Sequence, residues 1–211
     1  AQDGEIGGLL RQTGAKVLSR RLTLKPGQNV IGASFDTAGL AAPATEIAKA
    51  EPVLDVLRGI IFDRDSSFLS VKSFAVQALG AVPGKQAAAE LVKVITAEGM
   101  PSEISRAAGD VLAQRKDNLA EVSSLLVAAL QQSYDYLDDK RPRGLDVLAR
   151  VATAVGASET VPALSARLLD PSTPAAALKD LVLALTKLGG KDAIRPLRDA
   201  LLVYRADPLF A

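Results

Sequence analysis

The chain repeats one helix ending four times, at Ala78-Leu79-Gly80, Val111-Leu112-Ala113, Ala154-Val155-Gly156 and Lys187-Leu188-Gly189. Successive endings lie 33, 43 and 33 residues apart. A period of this length fits units of two helices, each of which buries its apolar face against the neighbouring units. The endings therefore predict an all-α fold, an array of about four helix pairs followed by a terminal helix.

Residues that stop and restart helices divide this array at regular places. Pro52 opens the first helix, because proline is pre-shaped for the first helical position. Glu98-Gly99-Met100-Pro101 and Asp170-Pro171-Ser172-Thr173 are stop and restart signals later in the chain, the second with a capping residue. Between such breaks the apolar spacing predicts helices over 52–62, 67–81, 84–97, 101–114, 118–132, 144–155, 158–169, 174–188 and 192–204.

The amino-acid composition limits which residues can form the core and which partners the protein can bind. The 211 residues are 48% hydrophobic but only 4% aromatic, and Trp is absent, so Ala, Leu, Val and Ile must build the core. A net charge of +1 gives no overall attraction to nucleic acid. No apolar run is long enough to cross a bilayer. We therefore expect neither a nucleic-acid partner nor membrane insertion.

The chain contains no His and no Cys. Their absence excludes Ser-His-Asp and Cys-His nucleophiles, His-ligated zinc, thiolate metal sites and disulfides. Without any other catalytic motif, the sequence predicts a protein that is not an enzyme and has no cofactor, catalytic residue or metal site.

Several segments resemble HEAT repeats, in particular the bacterial HEAT-like variety related to phycobilisome lyases. The first helices are represented by Glu159-Thr160-Val161-Pro162-Ala163-Leu164 and Gly190-Lys191-Asp192-Ala193-Ile194-Arg195-Pro196-Leu197, and the second helices by Phe74-Ala75-Val76-Gln77-Ala78-Leu79-Gly80 and Leu183-Ala184-Leu185-Thr186-Lys187-Leu188-Gly189. Pro162 and Pro196 match the mid-helix proline of that family, whereas residues 86–95 lack a proline and Leu112-Ala113 lacks the glycine. The resemblance covers about residues 52–205 and implies an α-solenoid.

The first 51 residues differ from the rest and are predicted to form a separate N-terminal segment before the array of residues 52–211. A helix over 5–22 is weakened by three glycines. Residues 23–39 are predicted to be non-helical, with a turn at 25–29 and a short extended stretch at Val30-Ile31, and a short helix follows over 43–50. This segment is interpreted as a cap on the first repeat. The alternative is a segment that docks on a partner.

The long middle interval places about ten additional residues in the turn within the third repeat, residues 133–143. Insertions in repeat arrays project from one rim, which is often a binding rim. Tyrosine combines contact area with a polar tip, and arginine recognises carboxylates. The candidate partner-binding residues are therefore Tyr134, Asp135, Tyr136, Asp138, Asp139, Arg141 and Arg143. The alternative interpretation is a solvated connector whose opposite charges satisfy one another.

The leading functional hypothesis is a non-enzymatic scaffold or adaptor that binds a partner protein through its concave face and this insertion. A related hypothesis makes the chain a component of a larger assembly. The resemblance also implies two alternatives: a cofactor-handling protein of the tetrapyrrole lyase type, or a helical-repeat protein that binds nucleic acid. HEAT-like hydroxylases need His for iron and are excluded. The start Ala1-Gln2-Asp3 and the absence of Cys favour a periplasmic or secreted protein, with a cytoplasmic one as the alternative.

Overall fold

The structure, a computed structural model, describes residues 29–30, 33–34, 51–63, 68–132 and 143–205. Within these ranges it contains nine α-helices, so the predicted all-α fold is confirmed. The helices are α1 (Glu51–Ile61), α2 (Leu69–Ala81), α3 (Lys85–Thr96), α4 (Ser102–Ala113), α5 (Leu119–Leu130), α6 (Leu145–Val155), α7 (Val161–Leu169), α8 (Ala175–Leu188) and α9 (Ile194–Tyr204).

Two of the predicted helices begin with a 3-10 turn instead of an α-helical one. Ser158–Thr160 forms such a turn before α7, and Gly190–Ala193 forms one before α9. Pro162 and Pro196 consequently lie in the first turn of α7 and α9. Proline is tolerated there because the first amide groups of an α-helix have no acceptor within it.

The helices contact one another in a regular order that defines two layers. We call α1, α3, α5, α7 and α9 layer A, and α2, α4, α6 and α8 layer B. Each layer A helix contacts the layer B helix that follows it, from α1 with α2 to α7 with α8. Within each layer, each helix also contacts the next one along the chain.

The core lies between the two layers and is built from aliphatic side chains, as composition predicts. Each of α1 to α8 contributes at least one side chain that is almost fully buried: Leu57, Leu79, Leu91, Leu112, Leu126, Leu148, Leu164 and Leu185. Burying one such side chain stabilises the fold by about 1.5–3 kcal/mol. The apolar face that each pair presents to its neighbours therefore holds the helices in register.

Layer B helices approach one another through glycine. A methyl group on Gly80 of α2 would overlap the side chain of Val111 of α4. In the same way, a methyl group on Gly109 of α4 would overlap the side chain of Val147 of α6. The two glycines therefore let a valine of the next helix pack directly onto the helix backbone.

The N-terminal region is described at four residues only. Strand β1 (Asn29–Val30) pairs antiparallel with β2 (Ala33–Ser34), with Asn29 opposite Ser34 and Val30 opposite Ala33. Non-helical backbone here agrees with the prediction for residues 23–39. The predicted helices at 5–22 and 43–50 lie outside the described residues. Among the helices described, none is long and apolar enough to span a membrane.

Candidate functional site: the insertion rim

The insertion predicted at residues 133–143 falls between α5 and α6, and Arg143 is its one described residue. The layer A helices α3, α5 and α7 end on the edge where α4, α6 and α8 begin, and we call this edge the insertion rim. Tyr134, Asp135, Tyr136, Asp138, Asp139 and Arg141 lie outside the described residues. Arg143 is described: it is exposed, and its Nη2 lies 2.9 Å from Oε1 of Glu98 in the turn of the preceding repeat.

A buried arginine anchors the start of the insertion. Arg167, on α7, is only 5% exposed. Its Nε donates to the carbonyl oxygen of Leu130 at 2.5 Å, and its Nη2 donates to that of Gln132. Asp170 balances the charge, with Oδ2 at 2.8 Å from Nη1. The last turn of α5 and Gln132, the residue before the insertion, are therefore tied to the next repeat.

Asp170 is held ionised by its neighbours. Its Oδ1 accepts hydrogen bonds from the amide of Ser172 at 2.8 Å and from the Ser172 hydroxyl at 2.7 Å. Burial raises the pKa of this carboxyl, but the bonds from Ser172 and the Arg167 guanidinium outweigh burial, so the pKa lies below its ordinary value. Thr173, in the segment predicted to supply a helix cap, instead donates to the carbonyl oxygen of Arg167 at 2.7 Å.

A glycine anchors the end of the insertion. Gly144 has a φ of +65°, a left-handed conformation that glycine adopts without strain. A Cβ at this position would overlap the carbonyl oxygen of Ile95 at the end of α3. With Arg143 paired to Glu98, the residues entering α6 are therefore fixed against the second repeat.

Beside this anchor the rim contains a cavity of about 370 Å³, which we call the rim cavity. It falls in the range of about 300–1,000 Å³ that is typical of ligand pockets. Five polar or charged side chains line it: Ser102, Ser105, Arg106, Arg143 and Asp146. The apolar part includes Ile95, Met100, Val147 and Ala177.

Three helices begin at the rim cavity: α4, α6 and α8. Their N-cap residues are Pro101, Gly144 and Pro174, and in none of the three does a side chain accept a hydrogen bond from the first amide groups. The first two amides of each helix also have no acceptor within the helix, whereas the third amides of α4 and α8, on Ile104 and Ala177, donate to the carbonyl oxygens of Pro101 and Pro174. Three electropositive helix ends therefore converge on one cavity.

The charged side chains of the rim cavity differ in how they are paired. Arg106 is exposed and makes no ion pair with any residue in the described ranges. Arg143 shares its charge with Glu98, and Asp146 lies 3.5 Å from Arg150 on the same helix. The cavity lining thus contains two positive charges and one negative charge, and one of the positive charges is uncommitted.

The opposite edge, where layer B helices return to layer A, contains a second buried arginine, and we call it the return rim. Arg115, 7% exposed, donates to the carbonyl oxygens of Val82 at 2.9 Å and Gly84 at 3.2 Å. Its Nη2 lies 2.6 Å from Asp117, which also accepts from the Gly84 amide at 3.1 Å. Burial raises the pKa of Asp117, but the bonds from Arg115 and Gly84 more than offset it and the pKa is lowered.

A third charged cluster joins α1 to α3 on layer A. Arg58 donates to both carboxylate oxygens of Glu90, at 3.2 and 2.9 Å, and Lys93 donates to Oε1 at 2.8 Å. Burial raises the pKa of the nearly buried Glu90, but these cations outweigh it and the pKa is lowered. A carboxylate held ionised in this way is suited to joining helices rather than to proton transfer.

The comparisons with known proteins found no similar protein. No protein-family model matches the chain, and neither a curated protein nor a solved structure resembles it significantly. Among the described residues, no group of three or more His, Cys, Asp or Glu side chains is placed to hold a metal ion. The candidate site therefore rests on the geometry of the insertion rim.

Proposed function

We propose that this protein is a HEAT-like α-solenoid that binds a partner protein and is not an enzyme. The order of helix contacts supports the solenoid, because each helix touches its pair partner and the next helix of its own layer. An array of this kind offers an extended surface built from one side of every repeat.

The observation that carries the proposal is the close packing of layer B. Gly80 and Gly109 let successive layer B helices approach more closely than helices separated by larger side chains can. Layer B neighbours also share a larger contact than layer A neighbours. A stack whose one layer is narrower curves towards that layer, so layer B forms the concave face that receives the partner.

The exposed side chains of layer B suit a polypeptide with polar and charged groups. Gln77, Arg106, Asp110, Arg150 and Lys179 come from four successive helices and are all exposed. Charges of both signs on one surface set the register and orientation of a bound chain rather than its affinity alone. We expect the insertion, through Tyr134 and Tyr136, to add aromatic contact area for the partner.

Site-specific photo-crosslinking tests the proposed face. The photoreactive residue p-benzoylphenylalanine is placed at Gln77 or Asp110 on layer B, or at the exposed layer A positions Ser124 and Ala166 as controls. Irradiation in an extract of the source cells should yield one discrete crosslinked protein from the layer B positions, identified by mass spectrometry. The same product from the layer A positions, without any from layer B, would overturn the assignment of the face.

The insertion has its own test. Replacing both Tyr134 and Tyr136 with Ser should reduce the crosslink at Asp110 several-fold, because interface tyrosines contribute about 1–2 kcal/mol or more each. The thermal unfolding midpoint measured by circular dichroism should stay unchanged. An unchanged crosslink would remove the insertion from the binding surface and leave the layer B face as the sole contact.

A further inference from the structure

We infer that the rim cavity binds a carboxylate group that is carried beside an apolar side chain of the partner polypeptide. The inference rests on the proposed partner-binding function and specifies the chemistry that one part of the surface recognises. Three features of the cavity support it: a hydroxyl that opens onto the cavity and has no partner among the described residues, an excess of positive charge, and an apolar part next to the charged one.

The hydroxyl belongs to Ser105 on α4. Ser105 is only 8% exposed and lines the cavity, and its hydroxyl forms no hydrogen bond within the described parts of the chain. The hydroxyl oxygen is not fully enclosed, so its accessible side opens onto the cavity. An oxygen of a bound ligand that accepts the Ser105 proton would satisfy this group.

The charge around the cavity favours an anion. The uncapped first turns of α4, α6 and α8 direct amide groups and positive helix ends at the cavity. Arg106 adds a guanidinium that is free of ion pairs within the described residues. Asp146 opposes this field but is engaged with Arg150. With the ion-pair partners Glu98 and Arg150 included, three arginines and two carboxylates leave one positive charge around the cavity, which a monoanion neutralises.

A carboxylate fits this balance better than a phosphate group. Phosphate carries up to two negative charges at neutral pH, and the second would face the carboxylate of Asp146. The other part of the lining, with Met100, Val147 and Ala177, offers an apolar surface that inorganic anions cannot use. An aliphatic side chain next to a carboxylate uses both parts. Such a group occurs at the C-terminus of a polypeptide or at an internal Asp or Glu next to an apolar residue.

Two small probes that differ only in charge test the inference. The ¹⁵N-labelled full chain is titrated with N-acetyl-leucine, which has a carboxylate, and with N-acetyl-leucinamide, which lacks one. N-acetyl-leucine should shift the amide resonances of Ser102, Leu145 and Ala175 in the first turns of α4, α6 and α8. The amide probe should not. Equal shifts with both probes would overturn the inference, because the cavity would then recognise only the apolar group.

Two variants locate the binding groups. Arg106→Gln should weaken binding of N-acetyl-leucine about tenfold, the effect of losing one charge-assisted hydrogen bond. Lys187→Gln, which removes an equal charge from the far end of α8, should leave it unchanged. Ser105→Ala should also weaken binding, but the unfolding midpoint should not fall, since the native hydroxyl has no protein partner to lose. Binding that is unaffected by Arg106→Gln or Ser105→Ala would contradict the inference.

Further ligands show whether the cavity prefers phosphate, a C-terminal carboxylate or the carboxylate of an acidic side chain. Inorganic phosphate that shifts the same amides at lower concentration than N-acetyl-leucine would overturn the choice of a carboxylate. A peptide ending in a free Leu carboxylate is compared with an amidated peptide containing an internal Glu-Leu pair. Preference for the first assigns a C-terminus, and comparable binding assigns an acidic side chain as well.

The failures of the two proposals can be told apart. A partner that crosslinks to layer B equally well in the Arg106→Gln variant would leave the proposed function standing and remove the carboxylate site. Binding of N-acetyl-leucine without any layer B crosslink would overturn the proposed function, and with it the assignment of the carboxylate to a partner polypeptide.

Discussion

Two buried arginines join neighbouring repeats on opposite edges of the array. On the return rim, Arg115 binds two carbonyl oxygens of the short turn between α2 and α3. On the insertion rim, Arg167 binds two carbonyl oxygens at the end of α5, where the long insertion begins. Each arginine has an aspartate a few residues later as its counter-ion. The same chemistry thus closes a short turn on one edge and holds the start of a long segment on the other.

The two buried arginines differ in how many of their guanidinium nitrogens form hydrogen bonds. All three nitrogens of the Arg167 guanidinium donate a hydrogen bond, to Leu130, Asp170 and Gln132. In Arg115 the buried Nε has no partner. An unpaired buried donor already lowers the stability of the native state, so less is lost when that arginine is removed. Of the two arginines, Arg167 is therefore the one whose removal should cost more stability.

The largest effect should come from removing the arginine of the insertion rim. Arg167→Ala leaves Asp170 without its counter-ion and two carbonyl oxygens unpaired, and it should lower the free energy of unfolding by about 3–5 kcal/mol. Arg115→Ala should cost less, about 1–3 kcal/mol. Urea denaturation of both variants measures the difference. Arg150→Ala, at an exposed pair, is the control and should cost no more than about 1 kcal/mol. A larger loss for Arg115→Ala would reverse the ranking of the two rims.

The next largest effect should come from replacing glycines of left-handed backbone conformation, and it separates the cost of backbone strain from the cost of a steric clash. Gly144 on the insertion rim and Gly156 on the return rim have φ values of +65° and +71°, but only Gly144 faces another residue at the position of a Cβ. Gly156→Ala should therefore cost about 1–2 kcal/mol, from the left-handed conformation alone. Gly144→Ala should cost about 1–3 kcal/mol more because the methyl group displaces the end of α3. Equal unfolding free energies for the two variants would show that the end of the insertion is not held against Ile95.

The smallest effect is a pH dependence that both rims share. Asp117 and Asp170 have pKa values below the ordinary value in the folded state, so each stabilises the fold above the unfolded-state pKa of about 3.9. That contribution is lost as pH falls through the lower folded-state pKa. Asp117→Asn and Asp170→Asn should each cost about 0.5–1 kcal/mol at pH 7, given their partial exposure. The difference from the wild-type protein should shrink below about pH 4. A cost that is constant from pH 7 to pH 3 would contradict the ionised pairs.

Much of the architecture could be read from the sequence because apolar spacing and glycine report local structure. The Leu-Gly endings predicted the ends of α2 and α8, the Val-Gly ending predicted that of α6, and the long interval matches the long connection between α5 and α6. The sequence does not predict the burial of Arg115 and Arg167, because an arginine is usually exposed. The burial of Arg167 depends on carbonyl groups of a repeat that lies more than thirty residues earlier.

The rim cavity was missed because it is formed by three repeats together. One sequence signal was present: Pro101, Gly144 and Pro174 occupy equivalent N-cap positions and none can cap a helix with its side chain. The placement of Ser105 and Arg106 beside those helix ends depends on how α4 packs against α6. Of the predicted site residues, Arg143 lies at this cavity, and the assignment of the other six to a binding surface stays a prediction.

The glycine contacts of layer B also determine how the array can bend. A methyl group at Gly80 or Gly109 would overlap a valine of the next helix, so α2, α4 and α6 are already closely packed there, and moving them apart would open voids. The neighbouring helices of layer A share smaller contacts. Bending should therefore change the spacing of layer A helices more readily than the spacing of α2, α4 and α6.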